Sequence, residues 1–265
     1  MTQTCLVHRL GVIEYETAWR LQEKLAGEIA AGERPPTLVL LEHPHTYTFG
    51  RRGNIENLLW DEAELASRGI ALHWVDRGGD VTYHGPGQLV GYPLLRLSAN
   101  GLHRDPASGS PRLPQADYVG YVRKLEQALI LGLACLGIAA FQVEGKTGVW
   151  VNREKAAERN SSARFEPFPN AKNDTPLSIL VSPPSKIAAI GIKVDAWGVS
   201  RHGFALNINP DMSYWQGIIG CGLVGYPVTS LAEISSPPPD MQAVIAAVVN
   251  AFARTYDFQM TAEVL

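Results

Sequence analysis

Residues 37–42 read Thr37-Leu38-Val39-Leu40-Leu41-Glu42, an almost continuous apolar run of strand length. The segment before it has a different period. Ala18, Leu21, Leu25 and Ile29 recur at helical spacing across residues 14–31, and Gly32 follows as a stop. Residues 4–8 read as a short strand ahead of that helix. Further strands are expected at Leu72 to Asp76 and Leu89 to Leu97, while residues 98–115, rich in Ser, Gly, Pro and Asn, read as loop. Asp117 is placed to cap a long helix reaching about Gly137, with Val119, Val122, Leu125, Leu129 and Leu133 on its apolar stripe. β-rich pieces follow at 138–144, 147–151, 186–195 and 197–209. A last helix at about 239–256 carries Met241, Val244, Ile245, Val248 and Phe252. Helices at the start, middle and end, with β segments clustered between them, give an α+β class with mixed sheets.

The composition fits this reading. The 265 residues are 46% hydrophobic and 18% charged, which is globular, and the net charge of −3 lacks the basic excess of a nucleic-acid binder. The three cysteines, Cys5, Cys135 and Cys221, are too few for a disulfide framework and form no C-x-x-C pair, so a reducing compartment and no metal site are expected. The N-terminus MTQTCLVHRLG has no leader pattern, and the apolar stretch Ala243 to Val249 is far too short for a membrane span. A cytoplasmic protein without membrane or nucleic-acid partners is expected. Residues 151–185 stand apart: charge, proline and asparagine dominate them, which reads as a polar, mobile surface insertion in a single domain of residues 1–265.

Three clusters carry chemistry. The first follows a strand: Arg77-Gly78-Gly79-Asp80-Val81-Thr82-Tyr83-His84-Gly85-Pro86-Gly87-Gln88. Its glycines allow sharp turns and close ligand approach. The second is Lys186-Ile187-Ala188-Ala189-Ile190-Gly191-Ile192-Lys193, then His202-Gly203-Phe204-Ala205-Leu206-Asn207. Small residues at Ala188, Ala189 and Gly191 leave room for a ligand. Lys186 opens the strand, which suits either a pocket lysine or an ordinary solvated one. The third is Cys221 between Gly220 and Gly222. Its flanks make it sterically open, but at neutral pH a thiol of ordinary pKa, about 8.5, is only a few per cent thiolate. Cys5 and Cys135 read as small buried hydrophobes.

Together these residues resemble the octanoyltransferases of protein lipoylation, relatives of the biotin and lipoate protein ligases. The signature is matched at Arg77, Gly78, Gly79, Thr82, Tyr83, His84, Gln88 and Tyr92. It extends to Glu42-His43-Pro44, Tyr47 to Arg51, Thr147 to Trp150, Lys186 to Gly191, His202 to Asn207 and Cys221-Gly222. The resemblance implies a large mixed β-sheet flanked by helices plus a smaller sheet. It implies transfer of an octanoyl or lipoyl group from acyl carrier protein to a lysine of lipoyl domains, without ATP, cofactor or metal. The acceptors would be 2-oxoacid dehydrogenase complexes and the glycine-cleavage carrier protein. It assigns Cys221 as nucleophile and Lys186 as its partner. Arg77 to His84, Ala189 to Gly191 and Gly203 to Ala205 would line the acyl pocket. Arg51 and Arg52 are expected to meet the acidic carrier protein. An ATP-dependent ligase is the nearest rival, and it needs no cysteine nucleophile. Two features depart from the family: the long 151–185 link, and Gly220 where a proline more often precedes the cysteine.

Overall fold

The computed structural model describes residues 2–97, 103–104, 111–112, 117–153, 183–222 and 225–263; Cys221 is described through its backbone. The chain opens with β1 (Gln3–Val12), α1 (Tyr15–Ala31), β2 (Thr37–Glu42), β3 (Thr46–Phe49), α2 (Glu62–Ser67) and β4 (Ala71–Trp74). It continues with β5 (Val81–His84), β6 (Gln88–Leu94), the two-residue strands β7 (His103–Arg104) and β8 (Pro111–Arg112), and α3 (Tyr118–Cys135). Then come β9 (Ala140–Val143), β10 (Lys146–Val151), β11 (Ser185–Val194), β12 (Ser200–Asn207), α4 (Leu231–Ile234), α5 (Met241–Tyr256) and β13 (Phe258–Ala262). Among the described residues no helix is long and apolar enough to cross a membrane.

Eight strands form the large sheet in the order β13-β1-β2-β6-β12-β11-β10-β9. β1 pairs in parallel with β13 and β2, and the remaining neighbours are antiparallel. A second sheet, β4-β3-β5, joins a parallel to an antiparallel pair, and β7 and β8 form a small hairpin. The expected α+β class with a larger mixed and a smaller sheet is therefore correct.

Alternation along the strands separates two cores. Leu38, Leu40, Leu89, Leu206 and Ala188 face α3 and α5, where Leu125, Leu129, Val244, Val248 and Phe252 complete the larger cluster. Val39, Leu41, Val90, Tyr92, Leu94 and Ala205 face α1 through Ala18, Leu25, Ala26 and Ile29. Each helix has a physical start or stop. Asp117 and Asp240 accept from the N–H groups of Gly120 and Ala243 at 2.7 Å. Gly32 closes α1 in the left-handed conformation, φ 79°.

Three readings need correction, and a fourth falls largely outside the described residues. Residues 98–115, expected as loop, contain the β7–β8 hairpin among their described positions. Residues 154–182 of the expected insertion lie outside the described residues. Val119, placed on the apolar stripe of α3, is 72% exposed, because the stripe that packs runs through Tyr121, Leu125 and Leu129. Cys135 is exposed rather than buried, since α3 turns its last residue away from the core; Cys5 is buried as expected.

Candidate active site

A cavity of about 680 Å³ lies between the large sheet and the loop that joins β4 to β5. Its floor follows from register. Ala189 opposes Ala205 and Gly191 opposes Gly203 across β11 and β12, while Val90 on β6 opposes Ala205. Directly opposed residues share a face, so four small side chains and one valine leave a groove. Ala188, expected to widen it, points to the other face and is fully buried in the larger core beside Leu206.

The roof is the segment Arg77–Asp80. The Arg77 guanidinium donates to the Thr48 carbonyl at 2.6 Å and to its hydroxyl at 2.9 Å. Gly78 N donates to the Ile192 carbonyl at 2.8 Å, which ties the roof to β11. Asp76 anchors the same segment to the sheet. It accepts from His202 Nε2 at 2.7 Å, from Arg201 at 3.1 Å and from Lys193. Burial alone would raise the Asp76 carboxyl, but the bonds from His202 and Lys193 and the charges of His202 and Arg201 outweigh it and hold it well below the usual carboxylate range.

Of the signature residues on β5, Thr82 and His84 line the cavity. Val81 and Tyr83, expected in the acyl pocket, point the opposite way into the small-sheet core with Tyr47, Phe49 and Ile218. The stretch 81–84, read as part of a glycine-rich loop, is thus a strand, and its period of two splits the signature. Phe204 borders the cavity, yet its ring packs toward Phe252 at 6.1 Å on the far face. The other proposed lining residues, Arg77, Gly78, Gly79, Asp80, Ala189, Ile190, Gly191, Gly203 and Ala205, border the cavity, and so do Lys186 and Gly222.

His84 and His202 line one wall, and His43 is buried behind it against Tyr92. His43 Nδ1 donates to the Ile13 carbonyl at 2.7 Å, so Nε2 accepts from the Tyr92 hydroxyl at 2.6 Å. His84 Nδ1 donates to Gln88 Oε1 at 2.8 Å, because the Gln88 amide already donates to Tyr83 and Asn207. His202, at φ 57°, donates to Asp76 and accepts from the Tyr15 hydroxyl at 3.4 Å. Burial lowers all three: His43 to about 4, His84 well below the ordinary value, and His202 less far because Asp76 opposes the burial. A histidine held neutral in the fold takes a proton more readily once unfolded. Stability is therefore full above the unfolded value of about 6.5 and is lost as pH falls below it. His43 alone accounts for about 3 kcal/mol by pH 4. Urea unfolding from pH 8 to 4.5 is expected to show a steep loss beginning near pH 6.5; a flat profile would contradict the neutral wall. Asp76 adds to this loss only below about pH 5, where its unfolded carboxyl starts to protonate.

Lys186 is 5% exposed, which excludes the solvated reading of this residue. Its backbone is fixed on both sides: its N–H donates to the Pro227 carbonyl at 2.8 Å and its carbonyl accepts from Thr229 at 2.9 Å. Those residues belong to the segment that follows Cys221. The Gly220–Gly222 turn carrying Cys221 is a short 3-10 helix, closed by Gly222 N donating to the Ile219 carbonyl at 3.0 Å. The roof reaches this turn through Asp80, which accepts from Asn54 N at 3.0 Å and from the Asn57 amide. Asn57 in turn accepts from Ile219 N at 2.8 Å. A Cβ on Gly222 would lie 2.9 Å from Asp80 Oδ2, so the glycine lets roof and turn meet. The fold thus gathers the three sequence clusters around one groove. It also adds residues that local pattern did not mark as part of a site: Tyr15 from α1, Val122 from the apolar stripe of α3, Lys146 from β10, and Asn54 and Asn57 before α2. Arg52 borders the cavity, and Arg51 is exposed next to it.

The large mixed sheet with its smaller companion sheet is the fold of solved lipoate protein ligases. A bi-partite lipoate protein ligase from Thermoplasma acidophilum superposes with TM-score 0.64 at 15% identity, covering 100% of this chain and 88% of that one. A lipoate-protein ligase A bound with ATP gives 0.61, covering 100% and 90%. The family model of the lipoyl protein ligase A/B catalytic domain matches residues 14–253, and the chain belongs to that family. It is an acyltransferase enzyme. Octanoyltransferases of Chloroflexus aurantiacus and Solibacter usitatus are 38% and 40% identical to it, covering 99% and 97% of this chain and 99% and 96% of their own lengths.

Proposed function

We propose that the protein transfers an octanoyl group from acyl carrier protein to the ε-amine of a lysine on lipoyl domains, in lipoate biosynthesis and without ATP. The observation that carries this reading is the buried Lys186, tied by its backbone to the segment after Cys221 and opening on an acyl-sized groove. The octanoyltransferase names of full-length relatives support it.

The chemistry needs two steps. The Cys221 thiolate attacks the donor thioester carbonyl, a new C–S bond forms, the C–S bond to the carrier breaks, and the departing carrier thiolate takes a proton from the Lys186 ammonium, which leaves Lys186 neutral for the second step. The acceptor amine then attacks the Cys221 thioester. The C–N bond forms, Lys186 takes the proton from nitrogen, and the C–S bond breaks to regenerate the thiolate. In this dyad the positive charge of the Lys186 ammonium favours the thiolate of the first step. The groove over Ala189, Gly191, Gly203 and Ala205 takes the chain, with Thr82 and His84 at its side. Arg52 at the groove meets the acidic carrier protein. In this reading the whole chain serves as one catalytic domain in a reducing, cytoplasmic setting.

Incubation with octanoyl-acyl carrier protein, without acceptor or ATP, is expected to add one octanoyl group at Cys221. An adduct on Cys5 or Cys135, or octanoylation that requires ATP and free octanoate, would replace this reading with another.

A further inference from the structure

Lys186 has a second feature that the dyad chemistry does not require. Among the described residues, no hydrogen bond or ion pair reaches its Nζ. The group instead sits 4.9 Å from the ring centroid of Trp150. Trp150 and Lys186 are cross-strand partners on β10 and β11, and Trp150 is fully buried. Tyr226, from the segment that follows Cys221, meets the indole edge-on at 5.6 Å, and Lys146 Nζ lies 4.5 Å from the Tyr226 ring. The result is a chain of contacts from lysine to tryptophan to tyrosine to lysine, whose two lysines border the groove.

The stem of Lys186 is guided as well. Gly148 has φ 124°, and a Cβ there would lie 3.2 Å from Lys186 Cε and 2.6 Å from the Ala188 carbonyl. The missing side chain makes a slot in which the lysine stem lies. Gly148 is itself held by its N–H, which donates to the buried Glu126 at 2.9 Å. Backbone, stem and head are therefore each fixed by a different neighbour, and the head by an aromatic face.

We infer that Trp150 is the positioning residue of the Lys186 ammonium. The negative face of the indole holds the cation by cation–π attraction, which strengthens when water is excluded. This inference rests on the proposed Cys221–Lys186 dyad. The charged groups on the surrounding elements include Glu126 with its partner Arg123 on α3, Lys146 on β10, Arg77 and Asp80 on the roof, and Glu233 on α4 with Arg153 3.8 Å away, and they stay unchanged in the variants below.

The test is the pH dependence of Cys221 acylation by octanoyl-acyl carrier protein, followed by mass in single-turnover mode. Tryptophans carrying one to four fluorines are placed at position 150 alone, which drains the ring face with little change in shape. Acylation at pH 7 is expected to slow stepwise, by about tenfold for the fully fluorinated ring, as the midpoint of the pH–rate profile moves alkaline by roughly half to one unit. Trp150→Leu is expected to show the full effect and Trp150→Phe an intermediate one. A residue that only fills the core would leave the midpoint untouched, whatever it did to the rate. An unchanged midpoint across the fluorinated series overturns the inference and leaves the dyad intact. Absence of any Cys221 adduct in the parent protein overturns the dyad itself.

Discussion

Cys221→Ala is expected to abolish the octanoyl adduct and to lower transfer by about a thousandfold or more, the scale seen when a covalent nucleophile is removed. The other cysteines offer no substitute. Cys5 is buried in β1, and burial pushes its thiol up to about 12, far from a thiolate at neutral pH. Cys135 is exposed on the last turn of α3 and is absent from the residues around the groove. Cys5→Ala and Cys135→Ala are therefore expected to keep transfer within a few-fold of the parent. The measurement is intact mass after exposure to octanoyl-acyl carrier protein, with turnover on a lipoyl domain alongside. Transfer that persists in Cys221→Ala would remove the thioester from the mechanism.

Lys186 should divide the two half-reactions. In the proposed dyad, Lys186→Ala removes both the cation that favours the thiolate and the group that takes the amine proton. Each step is then expected to fall by roughly a hundredfold, the usual range for a positioned acid or base. Lys186→Arg separates the two roles. Guanidinium keeps the charge, so Cys221 acylation is expected to recover in part. It does not deprotonate in proteins, so transfer to the acceptor amine should stay as slow as in the alanine variant. Rapid-quench measurement of adduct formation and decay reads the steps apart. Equal recovery of both by arginine would show that Lys186 acts through charge alone. The lysine makes few contacts to lose: its ammonium has an aromatic neighbour but no carboxylate among the described residues, so folding is expected to survive these changes.

The two sites of information in the chain behave differently. Elements with an uninterrupted local period were legible: the apolar run at Thr37–Glu42, the helical repeat of Ala18, Leu25 and Ile29 ended by Gly32, and the α3 start at Asp117 all match the fold. The small sheet was not. Thr46–Phe49 and Val81–His84 are four-residue strands with polar threonines and histidine inside them. Their burial comes from a roof and a second core that no local pattern encodes. For the same reason the signature looked like one lining surface, although Val81 and Tyr83 point away from the groove. The residues Tyr15, Val122 and Lys146 reach the cavity from three separate elements, and only tertiary packing brings them together. Residue chemistry was the better guide to the centre itself: Lys186, Gly222 and most of Arg77–His84 do border one groove.

The histidine wall bears on what the groove offers a hydrocarbon. His84 and His202 commit both ring nitrogens, and Tyr15 and Tyr92 commit their hydroxyls, to one another and to Asp76, Gln88, Thr48 and His43. A donor already spent inside such a web has nothing left to bargain for with solvent. To a passing methylene these polar names behave like wax, and the web also keeps the lining from clinging to water that an incoming chain would otherwise have to strip away.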